Sequence, residues 1–231
     1  MRPLLATLLA LPLLAGCTEP DTTTVALLLA DEAGSTARGA RIVDVEVLTD
    51  RIASACEECE LEVYDAGGDA DEQVSQVRQA LAAESDVLAV WPVDAAQVGE
   101  VVPEDVPVVS LVTLVPGSEQ FVGLAEGEPD LPPQGTDLEA AREVVLGKRK
   151  QMTFVPVRAL SEQAADVVVG QLAEKPLTGG TEHEGVPSWL YETTRVTLDT
   201  LTTVLVGQGV LDLEELCQGR VAERCTQLGL R

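Results

Sequence analysis

Short apolar runs alternate with polar segments along the first half of the chain. Residues 25–30, 87–91 and 106–111 are continuous apolar runs, which are typical of parallel strands covered on both faces. Residues 61–64 and 120–124 predict two further short strands. These five segments follow one another at spacings that leave room for helices between them.

Helical patterns lie between several of these runs. Asp69 followed by Glu72 resembles a capping box, and apolar residues at helical spacing follow it. Asp94 with Gln97 predicts a short helix after the third strand. The alternation of strands and helices predicts an α/β fold with a parallel sheet and right-handed βαβ crossovers.

The pattern changes after the fifth strand. Residues 126–135 are rich in proline and polar residues and predict a linker. Thr136 with Glu139 predicts a helix that ends at Gly147. The rest of the chain predicts a strand at 151–157, a helix at 161–174, a polar loop at 175–185, an apolar, β-branched stretch at 186–203 and a short helix within 212–230.

The chain is strongly acidic, and this excludes several classes of partner. Its 15 Lys and Arg oppose 39 Asp and Glu, so the formal net charge is −24. Such a surface repels phosphates, so we expect no nucleic-acid partner and no adhesion of the folded part to anionic lipid. Aromatic residues make up only 3% of the chain, which is little material for stacking against bases or sugar rings.

The N-terminal segment predicts export rather than fold. Residues 1–16 combine Arg2 with an apolar run too short to span a bilayer, as in a signal peptide. The run ends in Leu14-Ala15-Gly16-Cys17, which resembles a bacterial lipobox. That resemblance implies a lipid on Cys17, a tether over 17–24 and an extracytoplasmic location at the cell membrane or outer membrane. An ordinary secretory signal with a coincidental cysteine is the alternative.

Four cysteines remain after Cys17: Cys56, Cys59, Cys217 and Cys225. An even number in an exported chain favours disulfides, with the local pairs 56–59 and 217–225 among three possible pairings. A zinc site that uses the Cys-x-x-Cys spacing is one alternative. A redox-active pair is another, although Glu57 and Glu58 would raise the thiol pKa rather than lower it.

A series of short motifs carries a resemblance to a known family. In chain order they are Cys56 to Leu61, Tyr64-Asp65-Ala66 with Asp69-Ala70-x-x-Gln73, Val87-Leu88 with Pro92-Val93-Asp94, Val106 to Ser110, Thr136 to Gly147, Met152-Thr153, Ala164-Ala165-Asp166, Val186-Pro187-Ser188, Val196-Thr197-x-Asp199, and Asp212 with Cys217 to Cys225. Their collinear order resembles bacterial sugar-binding proteins of the ribose/xylose type, the receptors of carbohydrate ABC importers.

The resemblance implies the type I periplasmic-binding-protein fold, in which two α/β lobes hold a sugar between them. Here the second lobe is mostly missing. We therefore expect a first lobe at 25–125 and a linker at 126–135 that replaces most of the second lobe. A remnant at 136–157 is too small for a core of its own and is expected to pack on the first lobe or on a partner. Residues 158–231 are expected to return to the first lobe as a helix, a strand and a disulfide-closed tail.

The resemblance also implies that most of the sugar-gripping residues are lost. Val112 and Thr113 stand where the family has an Asp-Arg pair, Ala125 and Glu126 where it has Asp-Asn, and Gly135 where it has an Asp, beside a retained Asp137. Each unpaired buried group costs about 1–3 kcal/mol. Four such losses would remove a micromolar affinity, which amounts to about 8 kcal/mol.

Seven residues remain as weak candidates for ligand contacts: Asp31, Glu32, Arg38, Arg41, Trp91, Glu126 and Asp137. Asp31 and Glu32 follow the first strand, where open α/β sheets bind ligands, although acids there are often solvated residues at a helix start. Trp91 follows the third strand and is suited either to stacking on a sugar or to packing under the Pro92 turn.

The sequence therefore predicts a lipid-anchored solute-binding module without a cofactor or a resident metal. Its expected partners are the membrane through Cys17, a monosaccharide, and an ABC permease or sensor protein. A protein-interaction lipoprotein without a small ligand is the alternative. We expect no enzyme, because the only histidine, His183, lies in a polar segment and no nucleophile–base set is visible.

Overall fold

The computed structural model of the protein describes residues 23–34, 41–125, 138–207 and 209–230. The strands in these ranges are β1 (Thr24–Leu29), β2 (Glu60–Asp65), β3 (Val87–Val90), β4 (Val108–Val112), β5 (Gln120–Leu124), β6 (Gln151–Phe154), β7 (Thr181–His183), β8 (Val186–Tyr191) and β9 (Thr194–Thr197). The α-helices are α1 (Val45–Ala55), α2 (Ala70–Ala82), α3 (Ala95–Val101), α4 (Leu138–Val145), α5 (Val157–Leu172), α6 (Leu213–Leu216) and α7 (Ala222–Leu228). A π-helical turn, Thr202–Val206, and a 3₁₀ turn, Gly219–Val221, complete the described chain.

Seven strands form one sheet in the order β2-β1-β3-β4-β5-β8-β7. All neighbouring pairs are parallel except β7 and β8. The parallel pairs confirm the predicted α/β fold class, and the five strands predicted in the first half are all present.

Helices cover both faces of this sheet, which explains the continuous apolar runs. Along β1, Leu27 and Leu29 belong to the core under α1 and α5, whereas Ala26 and Leu28 belong to the core under α2 and α3. All four side chains are fully buried. A strand covered on one face only would instead alternate between apolar and polar residues.

Aspartates begin several of the helices. The Asp69 side chain accepts hydrogen bonds from the backbone N–H groups of Asp71 and Glu72 at the start of α2. Asp94 does the same for Ala96 and Gln97 at the start of α3. These contacts confirm the two helix starts predicted from the sequence, because each satisfies N–H groups that lack an intrahelical partner.

The fourth crossover helix, α5, begins earlier than its sequence pattern predicted. It starts at Val157 rather than at 161, and the preceding strand β6 ends at Phe154 rather than at 157. Pro156 lies at the junction, where its carbonyl accepts a hydrogen bond from Leu160. Because proline has no N–H to give to a strand ladder, it ends the strand and permits the helix to begin.

The segment 175–185, predicted as a loop, contains the short strand β7. β7 pairs antiparallel with β8 across a tight turn at Glu184 and Gly185, with φ angles of 51° and 83°. Two successive positive φ angles are the signature of a type I′ hairpin turn. Glu-Gly is a weaker hairpin signal than Asn-Gly or Asp-Gly, so the pattern of the sequence did not reveal it.

Helix α5 packs on α1 and so completes one face of the sheet. Leu48 and Ile52 of α1 share a core with Leu160 and Ala164 of α5. At the rim, the Arg51 guanidinium donates two hydrogen bonds to the Asp166 carboxylate, at 2.6 and 2.8 Å. The Asp166 carboxylate raises the pKa of Arg51, since it stabilises the cation.

The described chain thus divides into two units, one with a core on each face of the sheet and one with a separate core. We call residues 23–34, 41–125 and 155–193 the sheet body, because they form the seven-stranded sheet and its helices. We call 138–154, 194–207 and 209–230 the small unit, since α4 and the antiparallel pair of β6 and β9 pack there against the C-terminal tail. Its buried residues are Ala140, Ala141, Val144, Val145, Met152, Phe154, Val196, Leu201, Leu205, Leu216, Val221 and Cys225.

This division differs from the arrangement expected for the second half of the chain. Residues 138–154 do not pack on the first lobe, because the tail supplies the apolar side chains that they lack. Conversely, only α5, β7 and β8 return to the sheet body, whereas the tail from Thr194 onward stays in the small unit. Residues 138–154 and the tail are each too short to form a core alone, and together they form one.

Both local disulfides are present, Cys56–Cys59 and Cys217–Cys225, as the export hypothesis predicted. The first closes the connection from α1 to β2, and the second joins the end of α6 to α7. Cys225 is fully buried in the small unit. Within the described ranges, no group of His, Cys, Asp and Glu is arranged to hold a metal ion. No helix described there has both the length and the apolar composition that a membrane span requires.

We predict that the small unit depends on its disulfide. The double variant Cys217→Ser/Cys225→Ser should destabilise the small unit by about 2–3 kcal/mol, because an open loop raises the entropy of its unfolded state. Hydrogen exchange should then accelerate in β6, β9 and α7 but remain slow in β1, β3 and β4.

Cys56→Ser/Cys59→Ser is the matched control. Its bridge closes a shorter loop outside the small unit, so the exchange of β6, β9 and α7 should not change. Unchanged protection of the small unit in the Cys217/Cys225 variant would contradict the prediction.

Candidate functional site

The parallel strands of the sheet body all end at one edge, here called the carboxyl edge. The described segments that follow β1, β2, β3 and β4 begin there, and open α/β sheets bind ligands outside this edge. The opposite edge, where these strands begin, is called the amino edge.

A tight turn follows β1 at the carboxyl edge. The Asp31 carboxylate accepts the N–H of Ala33 at 2.8 Å, and the Asp31 carbonyl accepts the N–H of Gly34 at 3.0 Å. Gly34 has a φ of 67°, and a Cβ there would overlap the carbonyl of Val43. Only glycine fits this position, since the two backbone segments touch.

Glu32 joins the same turn through its backbone. Its N–H donates to the Asp65 carboxylate at 3.1 Å, and that carboxylate also accepts the N–H of Gly67 at 2.9 Å. The Asp65 carboxylate therefore ties together the turns that follow the neighbouring strands β1 and β2. This geometry fits the structural interpretation of the Asp31-Glu32 pair better than the ligand interpretation.

Arg41 and Asp44 form an ion pair at 3.0 Å just before α1. The Asp44 carboxylate also accepts the N–H of Val47 and so begins the helix. The N–H of Asp44 donates to the hydroxyl oxygen of Ser161 at 2.8 Å. Because Ser161 is fully buried on α5 and donates to the Val157 carbonyl, it fixes the start of α1 against the start of α5.

A cleft of about 360 Å³ lies beside this ion pair, where the sheet body meets the small unit. We call it the junction cleft; it is lined by Arg41, Asp44, residues 154–159, Glu162, Gly209 and Val210. A second ion pair, Arg158–Glu162 at 2.9 Å, lies on its α5 side. Since α1 and α5 both begin at the carboxyl edge, the cleft occupies the side of the sheet where ligands of this fold class bind.

Trp91 is not available for stacking on a ligand. It is only 2% exposed and belongs to the core under α1 and α5. Its carbonyl accepts a hydrogen bond from the buried side chain of Gln73, which in turn accepts the N–H of Val93. The ligand interpretation of Trp91 is therefore wrong, and its ring fills space under the turn at Pro92 because the core there needs a large side chain.

The end of β4 carries apolar groups where the resemblance implied an Asp-Arg pair. Val112 is 1% exposed and has a φ of 66°, which is a strained conformation for a β-branched residue. The N–H of Thr113 donates to the carbonyl of Leu111 at 2.7 Å, which closes a three-residue γ-turn around Val112. This strand end is therefore a sharp, strained turn that carries no charged side chain.

The structure brings only one sequence candidate, Arg41, into the junction cleft. Asp31 and Glu32 lie in the turn after β1, and Trp91 lies in the core. Cys17, Arg38, Glu126 and Asp137 lie outside the described residues, so their roles remain predictions.

Three charged residues that line the cleft were not among the sequence candidates: Asp44, Arg158 and Glu162. Ser161, which is buried and contacts Asp44, was not among them either. Asp44 had a usable signal, because an Asp followed by an apolar helical pattern marks an N-cap. The spacing of Arg158 and Glu162, four residues apart, marks an ion pair on a helix but does not say what the pair faces. Ser161 gave no signal, since its partner lies 117 residues away in sequence.

The two tyrosines of the chain both have raised pKa values. Burial raises the pKa of Tyr64 to about 12, with help from its hydrogen bond of 2.5 Å to Glu62. Burial also raises the pKa of Tyr191, and the nearby carboxylates of Glu162 and Asp166 add to the effect. Tyr191 is the last residue of β8, so its side chain lies at the carboxyl edge, near the acidic residues of α5.

The cleft combines ion pairs with apolar groups. Among the described lining residues, two arginines are paired with two carboxylates, next to Phe154, Pro156 and Val210. None of them is a Cys, Ser, Lys or His, the usual nucleophiles and bases. His183 lies on β7, where its ring contacts Phe121.

Solved structures of sugar-binding proteins share this fold. An ABC transporter solute-binding protein from Clostridium phytofermentans, solved with β-D-glucose, superposes with a TM-score of 0.61 at 10% identity, over 84% of this chain and 100% of its own. The Caulobacter myo-inositol binding protein gives 0.58 at 11% identity, over 82% and 98%. A periplasmic ribose ABC transporter protein from Conexibacter woesei gives 0.52 at 13% identity, over 88% and 97%.

These likenesses confirm the fold predicted from the sequence, that of the ABC transporter sugar-binding proteins. No protein-family profile matches the chain, and no curated protein matches it. At 10–13% identity the solved structures establish a shared fold.

We predict that neither tyrosine ionises near the ordinary pKa of 10. A spectrophotometric titration should show that both tyrosines ionise above pH 10, Tyr64 at about pH 12. Since unfolded tyrosines ionise near pH 10, the stability contributed by this shift is present below pH 10 and is lost as the pH rises to about 12.

Glu62→Gln tests the cause of the shift. It should lower the pKa of Tyr64 only in part, because burial is the larger cause. A tyrosine that ionises at pH 10 in the folded wild-type protein would contradict the prediction.

Proposed function

We propose that the chain is a lipid-anchored, extracytoplasmic module of the solute-binding-protein type. It is related to the receptors of carbohydrate ABC importers, and its monosaccharide site has largely been lost. The observation that carries this proposal is the combination of a receptor-type parallel sheet with strand ends that lack the charged pairs of a sugar site.

The shared fold supports the first part of the proposal. Three solved neighbours are solute-binding or transporter proteins whose names specify glucose, myo-inositol and ribose, and this chain follows each of them over at least 97% of their length. A binding role also agrees with a junction cleft that contains ion pairs and apolar groups. We propose no enzymatic activity.

The strand ends support the loss of the sugar site. Trp91 is buried, and Val112 is an apolar residue in a strained turn. The carboxylates of Asp31 and Asp65 are engaged in backbone turns. A sugar needs several fixed hydrogen-bonding groups, and among the sequence candidates that the structure describes only Arg41 reaches the cleft.

A second function, a protein-interaction lipoprotein without a small ligand, is favoured by the state of Arg41. Its guanidinium is already paired with Asp44, and Arg158 is paired with Glu162. These pairs use part of the hydrogen-bonding capacity of both guanidinium groups, whereas a protein surface can cover the cleft and leave the pairs in place.

We predict that Cys17 carries the lipid. When the full chain is expressed in a bacterium that processes lipoproteins, the mature protein should fractionate with membranes, and its mass should correspond to a diacylglyceryl group on an N-terminal Cys17. Cys17→Ser should abolish both properties, because the lipid requires the thiol. A soluble wild-type protein cleaved at another residue would contradict the prediction.

We also predict that common monosaccharides do not stabilise the protein. The mature chain from Thr18, with both disulfides intact, should melt at the same temperature with or without millimolar glucose, ribose or myo-inositol. An intact micromolar site would add more than about 2.7 kcal/mol at such concentrations, a shift of several degrees.

A shift with one sugar would contradict the loss of the site. Arg41→Gln would then locate it, since this variant removes the cleft arginine and should abolish the shift. Glu104→Gln, on an exposed loop at the amino edge, is the matched control and should keep the shift.

A further inference from the structure

The chain enters the sheet body at a fixed point on the amino edge. The N–H of Glu60 donates to the carbonyl of Thr23 at 2.9 Å. The N–H of Thr24 donates to the carboxylate of Asp86 at 2.7 Å, and the N–H of Asp86 donates back to the Thr24 carbonyl at 2.9 Å. These bonds hold the start of β1 to the starts of β2 and β3.

The junction cleft lies at the opposite edge of the same sheet. A six-residue strand such as β1 spans about 20 Å. Arg41 and Asp44 follow the turn after β1, and the small unit closes the cleft still further from Thr23. The entry point of the chain and the cleft are therefore separated by at least the length of the strands.

The segment between the proposed lipid and the sheet is short. From Cys17 to Thr23 the chain advances by six residues. A fully extended chain covers at most 3.3–3.6 Å per residue, so this segment reaches about 20 Å. The amino edge is therefore confined within about 20 Å of the lipid headgroups, an argument that rests on the proposed anchor at Cys17.

We infer that the amino edge faces the membrane and that the junction cleft faces away from it. To present the cleft to its own membrane, the body would have to turn over, and the segment would have to run past the whole length of the strands and their loops. Its full extension barely equals one strand. A partner of the cleft therefore approaches from the extracytoplasmic space.

Charge differs strongly between the sheet body and the small unit. The sheet body carries 26 Asp and Glu against 5 Lys and Arg, whereas the small unit carries 7 of each. An acidic body has no affinity of its own for anionic lipid that would compete with the tether. The short segment, rather than adhesion of a face, determines how the body sits on the membrane.

Energy transfer from the protein to the membrane tests the orientation. The lipidated full chain is placed in vesicles that contain a headgroup-labelled acceptor lipid, and a donor dye is attached through p-azidophenylalanine at position 32 or 104. Glu32 and Glu104 are both exposed glutamates, at the carboxyl and amino edges, so each substitution removes the same charge. We expect severalfold higher transfer from position 104, in neutral and in anionic vesicles alike.

A lengthened tether is the matched control. Inserting 20 Gly and Ser residues after Asp21 gives the segment a root-mean-square reach of about 30 Å, so the difference between the two positions should largely disappear. Equal transfer with the native segment, or higher transfer from position 32, would overturn the orientation. Failure of the wild-type protein to associate with the vesicles would instead overturn the anchor at Cys17, and with it the basis of the inference.

Discussion

Burial of the parallel sheet on both faces is the constraint on which the rest of this structure depends. Crossover helices that cover a face of the sheet join most of the parallel pairs. The exception is β4 and β5, which the short segment 113–119 joins without a helix. One face is complete only when α5 packs beside α1, through Leu48, Ile52, Leu160 and Ala164. The first 125 residues therefore do not form a finished body, and the chain has to leave the sheet, build α4 and β6, and return.

That excursion creates the small unit and the junction cleft together. The chain leaves the sheet after β5, comes back through Pro156 into α5, and leaves again after β8 to pair β9 with β6. The small unit thus consists of two segments that need each other, and a disulfide closes the second. The cleft lies at the crossing, with Ser161 fixing the start of α1 against the start of α5.

The carboxyl edge retains the shape of a ligand-binding edge with different side chains. The turn after β1 is held by Asp31 and Gly34, and the turn after β4 is strained at Val112. Neither turn presents the charged pair on which a sugar hydroxyl network depends. The ion pairs of the cleft lie at the starts of α1 and α5, beyond the strand ends. Recognition at this edge would therefore involve the surfaces of these two helices rather than the strand ends.

The sequence by itself determined the order of the strands and helices in the sheet body, the caps at Asp69 and Asp94, and the two local disulfides. These features depend on residues close together in the chain, and the collinear motifs identified the fold. The hairpin at Glu184-Gly185 and the start of α5 at Val157 escaped prediction, because their local signals are weak. Only the tertiary structure decided that the C-terminal tail joins residues 138–154 rather than the sheet, that Trp91 is buried, and that Arg41, Asp44 and Glu162 line one cleft. Those outcomes depend on which apolar surfaces pack together although they lie more than 40 residues apart in sequence. A local sequence pattern contains no information about such packing.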